Sequence, residues 1–178
     1  MRWTRAAALP VSVLVGLLNL GATATPGGGA PALGSAVQEV EVVAVVVDPQ
    51  SHQPVVVLQG KRDRRSLALV IGQFEANGIA IPLQGVTPPR PLTHDLMLNL
   101  LGDLRASLRR IVITDLKDDV YYARLELDVR GQNSLAVDSR PSDAIALALR
   151  AKAPILVEDH VFDKAERLGP KPGATPHF

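Results

Sequence analysis

Cysteine is absent from the 178 residues. That excludes disulfides, a lipid-acylated N-terminal thiol, a thiol nucleophile, Cys-ligated zinc and iron–sulfur clusters. No excess of charge of one sign is present either, with 19 Lys and Arg against 18 Asp and Glu. This weighs against a strong nonspecific nucleic-acid binder, whose affinity comes from basic residues displacing phosphate counterions. No phosphate loop of the Walker type, no His-Glu-x-x-His zinc pair and no Gly-x-Ser-x-Gly nucleophile elbow occurs. Ser142 has no evident base partner, so a serine hydrolase is not expected. Any chemistry must rest on carboxylates, His, Ser/Thr, Lys/Arg or a bound ion.

Long apolar runs are also missing, with one near exception. Arg2 and Arg5 precede an apolar stretch from Ala6 to Leu20, followed by Ala22-Thr23-Ala24. Basic, apolar, then small-x-small is the order of a secretory signal peptide, with cleavage expected after Ala24. An uncleaved anchor is the alternative, but Pro10, Gly16 and Asn19 break a run already shorter than the roughly 20 residues of a span. The expectation is an exported protein, periplasmic or secreted, with no membrane segment after cleavage. Losing Arg2 and Arg5 and no acid leaves 17 basic and 18 acidic residues, a net charge of −1. Residues 25–36 are rich in Pro, Gly and Ala and read as a flexible linker. Residues 169–178 read as a disordered tail.

With 47% hydrophobic and 21% charged residues, residues 37–168 suffice for one domain that folds without disulfide or structural metal. Val40–Val47, Pro54–Leu58 and Ser66–Ile71 are β-branched runs separated by turn residues, which predicts two hairpins. A short helix is expected over Gln73–Ala80, ended by Pro82. Leu96, Leu100, Leu104 and Leu108 recur every four residues, with Met97 and Leu101 beside them, which predicts a helix over Thr93–Arg109 with Thr93 as N-cap. Ile111–Leu116 and Val120–Arg130 form a further expected hairpin, and Tyr121, Ala123, Leu125, Leu127 and Val129 alternate with polar residues as in a strand with one wet face. Leu135–Asp138 is a strand, Pro141 starts a helix ending near Ala151, Ile155–Val157 is a strand, and a helix closes at Leu168. The order is β-β-β-α-α-β-β-β-α-β-α, an α+β fold with a mixed, mostly antiparallel sheet and packed helices.

Three blocks add a resemblance: Ile71-Gly72-Gln73-Phe74-Glu75-Ala76, Pro91-Leu92-Thr93-His94-Asp95-Leu96, and Asp138-Ser139-Arg140-Pro141-Ser142-Asp143-Ala144-Ile145-Ala146. With Ile113-Thr114-Asp115-Leu116 ahead of a Tyr-Tyr-Ala-Arg strand, they make residues 37–168 similar to the bifunctional nuclease domain family. The resemblance implies a compact α and β fold that self-associates as a homo-oligomer, and a nuclease (a phosphodiester hydrolase, both DNase and RNase) with nucleic acid as substrate. Asn77, Gly78 and Pro82 depart from the family's smoother helix after Glu75.

Phosphodiester hydrolysis needs an aligned water and compensation of phosphoryl charge. Glu75, His94 and Asp143 are the expected catalytic residues, and Arg140 and Ser142 the expected substrate contacts. A divalent cation such as Mg²⁺ or Mn²⁺, if used, has Glu75, Asp115 and Asp143 as candidate ligands. Asp138 is a further candidate. Each has a plain structural alternative: Asp143 and Asp95 suit helix N-termini, Arg140 suits a surface pair with Asp143, and Lys117-Asp118-Asp119 suits a turn. Lys61, Arg62, Arg64 and Arg65 form a local basic cluster or simply a solvated hairpin loop. The competing function is a noncatalytic oligomeric interaction module of the cell envelope.

Overall fold

The computed structural model describes residues 36–130 and 134–169; the expected signal peptide, most of the linker and most of the tail lie outside them. Strands β1 (Val37–Val47), β2 (Pro54–Gly60) and β3 (Ser66–Val70) form consecutive hairpins. Helices α1 (Gln73–Leu83) and α2 (Thr93–Asp103) follow, then β4 (Ala106–Lys117), β5 (Val120–Val129) and β6 (Leu135–Ser139), then α3 (Pro141–Ala151), β7 (Ile155–Glu158) and α4 (Asp159–Leu168). The strands build one seven-stranded sheet in the order β3-β2-β1-β7-β4-β5-β6. Every neighbouring pair is antiparallel except β4 and β7, which run parallel with Ile111 opposite Ile155. The expected α+β class and element order hold.

Alternation decides which face of the sheet is dry. Val56 and Leu58, Ile111 and Ile113, Ala123, Leu125 and Leu127, and Ile155 and Val157 point to one side and are buried there with Ile79, Ala144, Ile145, Leu147, Val161 and Phe162 from the helices. Phe162 is fully buried; burial of a side chain of this class contributes roughly 1.5–3 kcal/mol. The other face carries Arg110, Arg124, Glu126 and Glu158, which join in ion pairs across β4, β5 and β7.

Two helices differ from expectation for identifiable reasons. The leucine repeat after Thr93 spans two elements: α2 stops at Asp103, Arg105 turns the chain at φ 59°, and Leu108 lies on β4 opposite Leu127. Leu98 and Leu101 pack against the core, while Leu96, Leu100 and Leu104 are exposed. The Thr93 hydroxyl does not cap the helix. Leu92 is the N-cap residue, and its N–H donates to Asp95 Oδ2 at 2.9 Å.

Helix α1 continues through Pro82 to Leu83. Pro82 has no N–H to give to the Gly78 carbonyl four residues earlier, and its ring crowds that oxygen. The guanidinium of Arg150, from α3, supplies the missing donor to Gly78 O at 2.6 Å. The same side chain donates to Ala146 O at 2.9 Å and, through Nε, to Asp95 at 2.8 Å. One nearly buried arginine, 8% exposed, therefore joins α1, α2 and α3.

Candidate functional site

The first turns of three helices supply the residues of interest. Each helix carries an acid at its third position, Glu75 in α1, Asp95 in α2 and Asp143 in α3, where unpaired N–H groups and the helix dipole favour negative charge. Packing α1 and α2 against α3 brings two of these acids to one arginine. Arg140, the N-cap residue of α3, donates from Nε to Asp143 Oδ2 at 2.8 Å and from Nη1 to Glu75 Oε1 at 3.1 Å. The imidazole of His94 meets the other side of Asp143, with Nε2 3.3 Å from Oδ1. Glu75, Arg140, Asp143 and His94 thus form one chain of polar side chains drawn from the starts of three helices.

Gly78 has a role here. A Cβ built on Gly78 would lie 3.0 Å from Cε1 of His94 and 3.4 Å from its Nδ1. Only a residue without a side chain lets the imidazole lie this close to α1.

The electrostatics follow from the contacts. The His94 imidazole, and after it the Arg140 guanidinium, hold the Asp143 carboxyl down to about 2 against the opposing effect of burial. Arg140 is shifted up, chiefly by its bond to Asp143. Glu75 is the exception to this mutual satisfaction: Oε1 lies on Arg140, while Oε2 is buried and has no hydrogen-bond partner among the described residues. Ser142, the remaining expected contact, is 7% exposed at the second position of α3.

Asp115 lies in a different group. A shift of register between Ile113 and Asp115 places it opposite Tyr122, on the face that carries Arg124. Lys164 and Lys117 reach its carboxylate, His160 Nε2 stands 3.3 Å away, and the Leu116 N–H donates to it at 2.8 Å. Although burial opposes it, these donors, led by Lys164, hold the Asp115 carboxyl well below the usual range. A cavity of about 400 Å³ opens beside it, lined by Lys117, Tyr122, Arg124 and Asp138 among others. No hydrogen bond or ion pair among the described residues links this group to Glu75, Arg140, Asp143 or His94. His160 and Lys164 are absent from the sequence-based candidates. Their spacing, one turn apart on the helix after β7, is the signal that points to them.

Two further expectations can be placed. The candidate metal ligands do not fit a divalent cation, because Glu75 and Asp143 already share Arg140 while Asp115 is held by two lysines. Among the described residues no group of three or more His, Asp or Glu is placed to hold a metal ion. The basic cluster is paired throughout: Lys61 with Glu39, Arg62 with Asp159, Arg64 with Glu41, and Arg65 with Asp63 and Asp163. Arg65 also lies 4.7 Å from the centre of the Phe162 ring. These contacts bind the β2–β3 turn to β1 and α4, which accounts for the cluster as fold rather than as a nucleic-acid patch. No helix among the described residues is long and apolar enough to cross a membrane.

Comparison with known proteins finds the model of the bifunctional nuclease domain matching residues 56–168. An uncharacterized protein of Mycobacterium tuberculosis is 44% identical over 132 residues, 74% of this chain and 78% of that protein. Bifunctional nuclease 1 of Oryza sativa subsp. japonica is 26% identical over 116 residues, 64% of this chain and 35% of its own length. Bifunctional nuclease 2 of Arabidopsis thaliana is also 26% identical, with 33% of its length covered.

Proposed function

Because the chain belongs to the bifunctional nuclease domain family, we propose that it hydrolyses phosphodiester bonds of DNA and RNA, and that it does so after export from the cytoplasm. The observation that carries the reading is the convergence of Glu75, Arg140, Asp143 and His94 from the first turns of three helices. Glu75 would take the proton of the attacking water once substrate binding opens Oε2, closed to solvent in the free protein, to that water. A guanidinium has five N–H donors, and the two contacts Arg140 makes leave it others for the nonbridging oxygens, whose charge grows in the transition state. The leaving oxygen takes its proton from His94 once the imidazole, held between Asp143 and Gly78 in the free protein, turns one nitrogen toward it. Asp143 stays ionised and fixes both the Arg140 guanidinium and the His94 ring.

Export is supported by the Arg2–Ala24 pattern and is tested by the N-terminus of the protein recovered outside the cytoplasm, expected at Thr25. Self-association is supported by the exposed leucines of α2 and is tested by light scattering.

The activity is tested on single- and double-stranded DNA and on RNA, with Mg²⁺, with Mn²⁺ and with chelator, comparing Glu75→Gln, Asp143→Asn and Asp115→Asn. Loss of a general base typically lowers rate by about 10²- to 10⁴-fold, so Glu75→Gln should fall in that range while Asp115→Asn cleaves normally. Folded Glu75→Gln and Asp143→Asn proteins as active as the parent would sink the site. No cleavage of any substrate would leave the noncatalytic interaction module as the better reading.

A further inference from the structure

Phe74 is 89% exposed, although the chain has only three phenylalanines. It occupies the second position of α1, immediately before Glu75. One turn further along the same helix face is Gly78, against which the His94 ring lies. The bare aromatic ring therefore stands at the start of α1 next to Glu75, whose carboxylate meets Arg140, and its exposure leaves it almost without packing among the described residues. Leaving an apolar side chain of this size in water forgoes the stabilisation that its burial would bring, and nothing in the core requires it here.

We propose that Phe74 is a stacking platform for an unpaired nucleobase, holding the nucleotide whose phosphate faces Arg140. The inference rests on the nuclease reading and narrows it to substrates with unstacked bases. An aromatic face takes any base, because every base has a π surface. A base paired within a duplex already has its faces covered by its neighbours. The site would therefore prefer single strands, loops and frayed ends, without sequence specificity, which suits one enzyme acting on both DNA and RNA. Phe74 would set affinity and substrate form, and Glu75 and Arg140 would carry the reaction.

The test uses the chain's own composition. Trp3, its only tryptophan, lies in the expected signal peptide, so Phe74→Trp in the chain starting at Thr25 places a single fluorophore at the platform. Single-stranded DNA should quench this fluorescence, and an abasic oligonucleotide of the same length and charge should not. Base–aromatic stacking is typically worth about 1–3 kcal/mol per base, so Phe74→Ala should weaken single-strand binding roughly 5- to 150-fold. Phe74→Tyr should bind like the parent, and binding to a blunt duplex should change less than twofold. Equal quenching by the abasic strand, or Phe74→Ala binding single strands like the parent while the parent still cleaves nucleic acid, overturns the stacking role and leaves the nuclease reading intact. A parent that neither binds nor cleaves nucleic acid overturns both. A change of oligomeric state in Phe74→Ala, with unchanged affinity for single strands, assigns the ring to self-association and also overturns the proposal.

Discussion

Replacing Arg150 by Met removes three hydrogen bonds at once, to Asp95, Gly78 O and Ala146 O. Methionine keeps most of the apolar stem, so the loss is that of the charged head. The Asp95 carboxylate is 31% exposed and can recover water. Gly78 is buried, and Pro82 denies its carbonyl the usual helical donor. Orphaning a buried acceptor costs about 1–3 kcal/mol, and a hydrogen bond to a charged group contributes about 1.5–3. A total near 3 kcal/mol is expected, equivalent to a fall in Tm of about 10 °C for a domain of this size.

The argument about Pro82 is tested by a double-mutant cycle measured by urea unfolding. Pro82→Ala restores a backbone N–H facing Gly78 O. In the parent that donor competes with one already present, whereas in Arg150→Met it replaces the one lost. The effect of Pro82 on the unfolded chain is common to both backgrounds and cancels. Pro82→Ala should therefore stabilise Arg150→Met by about 1–2 kcal/mol more than it stabilises the parent. Equal effects in the two backgrounds would refute the idea that Arg150 substitutes for the missing amide.

Gly78→Ala should gain less than half of the roughly 1 kcal/mol that alanine brings to a helix interior, because the new methyl crowds the His94 ring, and should shift that ring's NMR signals; a full gain with unmoved signals would contradict the packing described. Asp143 has its pKa depressed, so its contribution is complete above the unfolded value near 4 and is lost as pH falls toward about 2; unfolding measured across that window should show a component in the parent that Asp143→Asn lacks. Burial, and after it Asp119, pushes the Tyr121 hydroxyl up to about 12, so ultraviolet titration should find this tyrosine still protonated at pH 11. Its complete ionisation near pH 10 would mean that the ring is not buried against the core.

The elements whose cause is local were legible in the sequence. The β5 alternation, the Pro141 helix start and the hairpin turns each declare themselves within a few residues, and the structure has them where they were expected. The α2 boundary was not legible, because a four-residue leucine spacing cannot say where a helix stops and a strand begins. Leu108 satisfies the pattern and belongs to β4. Pro82 misled for the opposite reason. Its compensation comes from Arg150, 68 positions later, and no window on the sequence joins the two. At the site, the blocks containing Glu75, His94 and Arg140-Pro-Ser-Asp143 pointed to residues that the fold brings into contact. They also suggested Asp115, which the register shift in β4 places in another group. The one-turn spacing of His160 and Lys164 was legible, but that they face Asp115 follows only from the contacts of α4 with β4.

The position of β7 bears on how this protein can be made. β3-β2-β1 and β4-β5-β6 are two antiparallel halves, and only the four residues Ile155–Glu158 pair with both, joining β1 on one side and β4 on the other. The strand at the centre of the sheet is therefore the last to leave the ribosome. Until it arrives the two halves have no edge in common, and their facing edges remain open. A chain built in this way cannot close its sheet until all six other strands have been made. Until then the open edges of β1 and β4 are exposed backbone that another strand could pair with.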